Sequence, residues 1–381
     1  MSSENPFVYG EIVPRSAFVD RETELERLVA DLGDCQKVFL ISPRRYGKSS
    51  LVRQALLTLA RDRVVTLEVT VSSYSSYVAF LEGYTRALAA LDTRTGRARS
   101  WLRDMFSAAK PELRMDAEGP GLSVAFPSVR TARDAARLAE EVFVLPSKIG
   151  ARLKRRLVIA FDEFQAIASF NGGSVEQALR AAAQQQRQVG YVFAGSEPSL
   201  MEQMIGPRRP FYKAGPVMRL GKIPADVFAK FVENGFRASG FSYEEGFGAA
   251  IVDLAANLPY DVQRLAHETW DDLHRSRRKT ARMEDLHATL HRLLAEHETF
   301  FEAVWQRLTL AQRGVLRAVV IEQGVEMLSA DTRSRHRLGV ASSVQAALAA
   351  LQKHDVIARE DEGRYVVIDS LMREWIARTT Y

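Results

Sequence analysis

The chain has 381 residues, 46% of them hydrophobic and 26% charged, with a formal net charge of +5 and a single cysteine. That length suggests two or three domains, and one cysteine excludes an internal disulfide framework. No apolar run approaches the roughly 20 residues that a membrane helix needs, and the first residues, MSSENPFVYGE, lack the basic and apolar regions of a secretory signal. The expected location is the cytoplasm, and the mild positive charge permits nucleic-acid contact without requiring it.

Asp20 to Leu32 reads as an amphipathic helix, with Asp20 as its N-cap and Leu25, Leu28 and Val29 facing inward. The segment VFLISPRRYGKSSLV, Val38 to Val52, follows. Val38 to Ile41 is a buried strand, and Pro43 and Gly47 punctuate a tight loop. A helix then starts near Lys48, with Leu51, Val52, Ala55 and Leu56 on one face. The phosphate-binding pattern is G-x-x-x-x-G-K-[ST]. Here Ser42 stands at the first glycine, and Gly47, Lys48 and Ser49 complete the pattern. Backbone N–H groups from Arg44 to Ser50 (Arg44, Arg45, Tyr46, Gly47, Lys48, Ser49, Ser50) would face phosphate oxygens at a helix start, where the dipole favours an anion. Lys48 would reach the β- and γ-phosphates, and the Ser49 hydroxyl would hold Mg2+.

Val64 to Val71 reads as the next strand, and Tyr77 to Lys148 as mostly helical, interrupted by the turn-rich stretch Glu118 to Ser128. The segment RLVIAFDEFQ, Arg156 to Gln165, is a strand ending in adjacent acids. Ligands of open α/β sheets bind at that edge of the strands. Asp162 would help hold the Mg2+ that Ser49 binds. Glu163, one residue on, points differently and suits the orientation or deprotonation of an attacking water. A helix over Ser174 to Gln188, a strand over Tyr191 to Gly195 and an edge strand over Met218 to Leu220 complete an α/β core with a parallel sheet covered on both faces.

From Pro224 the strands stop. Val227, Phe228, Phe231, Val232 and Phe236 line one helical face, and further helices are expected over Ile251 to Leu273 and Met283 to Trp305. The basic run Arg275, Arg277, Arg278, Lys279 reads as a solvated junction, with a nucleic-acid patch as the lesser reading. Leu310 to Ile321, a helix carrying Val344, Ala347, Leu348 and Leu351, and a hairpin from Val356 to Ile368 give the order of a winged helix-turn-helix. The element order divides the chain into 1–222, an α/β core with the phosphate loop; 223–300, a helical region; and 301–381, a winged helix.

The phrases PFVYG, FVDRETELERL, SPRRYGKSSLV, IAFDEFQ, FAGSEPSLM, RRPFYKAG and NLPYDVQRLAHETW, in that order and followed by a winged helix, resemble one family across nearly the whole chain. It is the prokaryotic, archaeal-type ATPases of the STAND group, which are similar to AAA+ proteins and to the origin-recognition initiators. The resemblance implies an AAA+-like P-loop fold with a helical lid and a C-terminal winged helix, with ATP and Mg2+ as ligands. It implies that Phe18 lies near the adenine, that Ser196 senses the γ-phosphate, and that Tyr260 lies in the lid segment beside the nucleotide. Arg208 and Arg209 fall in a stretch where relatives carry arginines, and would act on the γ-phosphate of their own or a neighbouring subunit. Lys213 stands where relatives often have Arg, and lacks the planar fork that makes arginine bidentate. The Asn-Lys-x-Asp motif that reads guanine is absent from the sequence, so ATP is preferred to GTP.

Two features have simpler readings. His287 and His291 could share a metal, but a solvated pair is the simpler account. Cys35 has no C-x-x-C partner and reads as structural. From Thr309 to Tyr381 there are ten Arg plus Lys against nine Asp plus Glu. The recognition-helix segment Ala341 to His354 offers Ser342, Ser343, Gln345, Gln352 and a single Lys353, and the wing carries Glu360, Asp361 and Glu362. Phosphate contacts dominate DNA affinity, so an acidic wing disfavours it. The basic cluster Arg333, Arg335 and Arg337 is the only counterweight. Two functions therefore stand side by side. One is an ATP-hydrolysing switch whose winged helix signals to a protein partner, with nucleotide-dependent homo-oligomerisation admitted. The other is an ATP-regulated DNA-binding initiator or regulator. A nucleotide-holding scaffold without turnover is a third.

Overall fold

The structure, a computed structural model, describes residues 4–11, 13–14, 17–91, 105–106, 110–115, 122–170, 174–360 and 363–379. The chain divides into two compact units, Arg21–Gly221 and a second unit of Met1–Asp20 with Lys222–Tyr381. In chain order the first contains α1 (Glu22–Gly33), β1 (Lys37–Ile41), α2 (Lys48–Arg61), β2 (Val65–Thr70), α3 (Tyr77–Ala90), β3 (Glu112–Met115) and β4 (Leu122–Ala125). It continues with α4 (Ala132–Leu153), β5 (Leu157–Asp162), α5 (Ser174–Gln185), β6 (Val189–Gly195), α6 (Pro198–Ile205) and β7 (Val217–Arg219).

Five of these strands form one sheet in the order β2-β5-β6-β1-β7, with every neighbouring pair parallel. Strands buried on both faces read as continuous apolar runs, as KVFLI, LVIAFD and VGYVFAG do. Phe39, Phe161 and Phe193 point to one face and share a core with Phe80 and Tyr84 of α3 and Phe143 of α4. Val38, Leu40, Val158, Ala160, Val192 and Ala194 alternate with them and are buried too. Gly190 lies on this second face, where a Cβ would stand 2.7 Å from the Leu32 carbonyl of α1, so only glycine admits that close approach.

Three details depart from the sequence reading. α1 starts at Glu22 with Arg21 at the N-cap position, because Asp20 takes a left-handed turn (φ 46°) and cannot cap the helix. Val29 is half-buried, and Leu32 joins Leu25 and Leu28 inside. Within the stretch expected to be helices and turns, β3 and β4 pair as an antiparallel hairpin. α4 then opens on a Thr131–Asp134 capping box, in which each side chain satisfies an otherwise orphaned backbone N–H.

The second unit contains α7 (Ala225–Ala238), β8 (Ser242–Tyr243), α8 (Phe247–Leu254), α9 (Pro259–Arg275), β9 (Thr280–Ala281) and α10 (Met283–Arg307). It ends with α11 (Leu310–Ile321), α12 (Ala330–Arg335), α13 (Ala341–Lys353), β10 (Ile357–Arg359), β11 (Tyr365–Val367) and α14 (Ser370–Thr379). The two-residue parallel pair β8–β9 is the only departure, among the described residues, from an expectation of no strands between Pro224 and the winged helix.

The first residues belong to this unit rather than to the core assigned to them by sequence. Asn5 donates to the His267 carbonyl (3.0 Å) and to Asp271 (2.9 Å) on α9. Phe7 is buried against Phe231 and Phe236 of α7. The Val8 N–H donates to Gln263 (3.1 Å), the Gln263 amide donates to the Ala17 carbonyl (3.0 Å), and the Tyr9 hydroxyl meets Glu268 (2.5 Å). The reason is apolar as well as polar: Phe7 finds an aromatic seat on α7, and α9 supplies the partners for the backbone beside it.

Candidate nucleotide site

Three strand ends of the parallel sheet meet on one edge. β1 ends at Ile41, β5 at Asp162 and β6 at Gly195, and the register sets Ile41 beside Gly195 and Phe161 beside Phe193. This is the edge where open α/β sheets hold their ligands. Ser42, fully buried, replaces the first glycine of the phosphate-loop pattern. Its backbone is not in the left-handed region, its N–H donates to the Gly195 carbonyl (3.2 Å) and its hydroxyl to the Pro43 carbonyl (3.0 Å). The conformations that favour glycine fall later, at Arg45 (φ 70°) and Gly47 (φ 87°). Serine therefore fits at position 42 without strain.

Gly47 is the N-cap of α2, and Lys48 and Ser49 occupy its first turn. Arg44 is exposed, Arg45 and Ser50 are half-buried, and Tyr46 is buried. The Lys48 ammonium is buried and bonded to Asp162 Oδ1, and it stands 3.6 Å from Glu163 Oε1. The Ser49 hydroxyl donates to Asp162 Oδ2 at 3.0 Å. A lysine, a serine and an aspartate from two distant segments thus converge on one point.

Glu163 does not continue β5. Its backbone turns left-handed (φ 50°, ψ 43°), its N–H donates to Asp162 Oδ1 (3.0 Å), and a short 3-10 helix, Phe164–Ser169, follows. A non-glycine residue in that region costs about 1–2 kcal/mol, and such residues cluster at functional sites. The turn sends the Glu163 carboxylate toward the end of β6. There Oε2 accepts from the Ser196 hydroxyl at 2.5 Å and from the Gln165 amide at 2.6 Å. Gln165 also reaches Ser196 (3.3 Å) and Glu197 (3.4 Å).

Arg208 and Arg209 are exposed in the loop between α6 and β7. Arg208 is left-handed (φ 67°), as is Lys213 (φ 51°), whose ammonium lies over the Tyr212 ring. Arg209 is tied to Glu176 of α5 at 3.4 Å. Glu176 is 1% exposed and its second carboxylate oxygen has no hydrogen-bond partner among the described residues; burial raises its pKa although the Arg209 charge opposes the shift.

The structure thus brings together Lys48, Ser49, Asp162, Glu163 and Ser196. Phe18 and Tyr260 belong to the second unit, where both are half-buried and Tyr260 meets Tyr9 edge-on (5.9 Å). Gln165 and Glu176 escaped the sequence reading. The only local signal for Gln165 was its place two residues after the acid pair. His287 and His291 are exposed, His291 faces Arg378, and no cluster of three metal-ligating side chains occurs among the described residues. Cys35 is buried at a left-handed turn, and burial raises its thiol pKa.

In the winged helix, the exposed side of α13 carries Ser342, Ser343, Gln345, Ala346, Ala349 and a single cation, Lys353. Arg335 is paired with Glu322 (2.7 Å) and with Asp331, and His336 also meets Glu322 (2.7 Å). Glu360 is paired with Lys222 (2.8 Å), while Asp361 and Glu362 lie outside the described residues. No helix among the described residues is long and apolar enough to cross a membrane.

Comparison with known proteins agrees with this architecture. Residues 299–378 match a family model described as a probable winged helix domain. No curated protein matches the sequence. Among solved structures, the Walker-type ATPase of Pyrococcus abyssi is similar over 96% of this chain and 99% of its own, with a TM-score of 0.63 and 17% identity. The Aeropyrum pernix ORC1 protein in complex with DNA is similar over 97% and 95%, with a TM-score of 0.53 and 14% identity. The Aeropyrum pernix ORC2 protein, in ADPNP and ADP complexes, is similar over 99% and 97%, with a TM-score of 0.52 and 10% identity. At these identities the likeness establishes the fold: a P-loop ATPase type of parallel sheet with a C-terminal winged helix.

Proposed function

We propose that this chain is a Mg2+-dependent ATPase of the STAND type, a cytoplasmic switch whose nucleotide state is passed to a protein partner. The observation that carries this reading is the convergence of Lys48 and Ser49 on Asp162 at the ligand-binding edge of the sheet. Lys48 would give up the Asp162 carboxylate for the β- and γ-phosphates. Ser49 Oγ and Asp162 Oδ2, 3.0 Å apart, are the hard oxygen donors that Mg2+ takes. When bound, Mg2+ would neutralise charge on the transferred phosphoryl group.

Glu163 is the general base in this reading: it orients a water and accepts its proton. Ser196, at the end of β6, senses the terminal phosphate. Arg208 and Arg209 stabilise charge on the γ-phosphate of their own subunit or of a neighbouring copy, which makes a nucleotide-dependent homo-oligomer part of the proposal. The assignment of Phe18 and Tyr260 to the adenine rests on sequence resemblance alone. The reading of 223–300 as a lid goes with it, while the winged helix from 301 is supported by its element order and by the family match over 299–378.

The test is binding of a fluorescent ATP analogue to the full chain with and without Mg2+, beside Lys48→Ala. Unchanged affinity in that variant would overturn the reading.

A second reading, ATP-regulated DNA binding, is favoured by one similar structure having been solved with DNA. The exposed side of α13, which carries Lys353 as its single cation, and the pairing of Arg335 with acids oppose it. Affinity for duplex DNA that falls steeply as salt rises would establish it. Its absence leaves protein contact as the role of the winged helix.

A further inference from the structure

Gln165 is 5% exposed, on the 3-10 turn after the acid pair, and no phosphate-binding motif accounts for it. Its amide nitrogen faces three acceptors: Glu163 Oε2, Ser196 Oγ and Glu197 Oε1. Turning the amide over would set its carbonyl oxygen against two carboxylates, so its orientation is fixed by charge. Its Oε1 is buried and has no hydrogen-bond partner among the described residues. A residue selected for packing alone would not carry that cost, and a buried polar group of this kind calls for a functional account. Gly195 lies against it: a Cβ at Gly195 would stand 2.8 Å from Gln165 Oε1.

Counting protons sharpens the point. A serine hydroxyl has one proton to donate. Ser196 gives that proton to Glu163. A terminal phosphate on Ser196 would need the same proton, so this hydroxyl serves either the carboxylate or the phosphate. Gln165 has two amide protons and stays bonded to Glu163 whichever way Ser196 turns.

We infer that Gln165 is a positioning residue that retains the Glu163 carboxylate at the end of β6, so that Ser196 is free to turn to the terminal phosphate of a nucleoside triphosphate. This rests on the nucleotide reading above. Without Gln165, Ser196 is the remaining donor to Glu163 Oε2. The hydroxyl is then held back from the phosphate, and the base it leaves behind is loosely aimed.

The experiment uses the full chain as wild type, Gln165→Ala and Gln165→Glu. It measures affinity for ADP and for a non-hydrolysable ATP analogue, and the pH profile of kcat for ATP. In Gln165→Ala, ADP affinity is expected to be unchanged and the preference for the ATP analogue over ADP to fall about tenfold, the worth of one hydrogen bond to a charged group. Its kcat is expected to fall roughly 10- to 100-fold, as misplacement of a reacting group does. Gln165→Glu keeps the shape and loses the donor at pH 8. Protonation restores an O–H, so its activity is expected to recover as pH falls toward 6, which a merely structural role would not produce.

An unmoved preference in a folded Gln165→Ala overturns the inference. If that variant does not fold, a Gln165→Glu profile parallel to the wild type overturns it instead. A wild-type chain that binds neither nucleotide overturns the nucleotide reading and this inference together, whereas wild-type binding with an unmoved preference overturns this inference alone.

Discussion

The Lys48 ammonium is bonded to the carboxylate of Asp162, 114 residues further along the chain. The cation proposed for phosphate is therefore stored against the acid proposed for the metal, and each neutralises the other. Lys48 is 5% exposed and Asp162 only 14%. Breaking a buried pair from one side costs about 3 kcal/mol, because it leaves an uncompensated charge.

Lys48→Ala is accordingly expected to lose ATP-analogue binding by at least roughly 10- to 100-fold, the worth of hydrogen bonds to charged groups. It is also expected to unfold at lower denaturant than the wild type. The double variant Lys48→Ala/Asp162→Asn is expected to regain part of that stability, since the orphaned carboxylate is gone. Equilibrium denaturation of the four chains measures the coupling, and additivity would show that the pair is not energetically linked.

Glu163→Gln is expected to retain ATP-analogue affinity and lose turnover by about 10²–10⁴-fold, the usual contribution of a general base. Asp162→Asn is expected instead to weaken binding only when Mg2+ is present. Phosphate release and analogue titration with and without Mg2+ separate the two acids. Wild-type turnover in Glu163→Gln would remove its assignment as the base.

Arg208→Ala/Arg209→Ala is expected to bind the ATP analogue and to hydrolyse ATP far more slowly, by up to ~10³-fold or more if the arginines act as fingers. Mixing it with Lys48→Ala, which keeps the arginines, is expected to restore hydrolysis if they act across a subunit interface. Full activity in the double arginine variant alone would leave Arg209 as nothing more than the partner of Glu176.

Glu176 gives a pH dependence. Burial raises its pKa in the folded chain above that in the unfolded chain. The stability linked to its protonated form is fully present below the unfolded carboxylate value, about 4.3, and is lost as pH rises through the folded value. Glu176→Gln stays neutral throughout. Its thermal midpoint, relative to wild type, is expected to rise with pH from the unfolded value to the folded value and to level off above it, and a difference independent of pH between 4 and 8 would contradict this.

The sheet was legible because its central strands are buried on both faces and must be apolar throughout. The acid pair was legible because Asp162 and Glu163 break such a run abruptly. β3 and β4 were not, since ELRM and LSVA are four residues each, too short for a pattern of two to stand out. α1 was misplaced by one turn position because a left-handed Asp20 cannot be told from a capping Asp20 by residue type. Gln165 and Glu176 were invisible for a different reason. Each acquires its role from a contact more than thirty residues away, to Ser196 and to Arg209 respectively, and no local periodicity encodes such a meeting.

The binding of Asn5, Phe7 and Tyr9 to α9 and α7 has a consequence for how the chain is made. Synthesis delivers Phe7 first, yet His267, whose ring meets the Phe7 carbonyl, emerges 260 residues later. The whole Arg21–Gly221 unit is synthesised in between. Domains fold as units during synthesis, so the first unit can close while Phe7, an aromatic side chain without its pocket, is still waiting in water. Deleting the opening segment would spare that wait, but would take the Val8 N–H from Gln263 and the Phe7 carbonyl from His267 on α9, and leave Phe231 and Phe236 without the ring that covers them. A trimmed chain is thus expected to yield a sound sheet beside an unsettled second unit, a defect that soluble yield would hide and hydrogen exchange in α9 would expose.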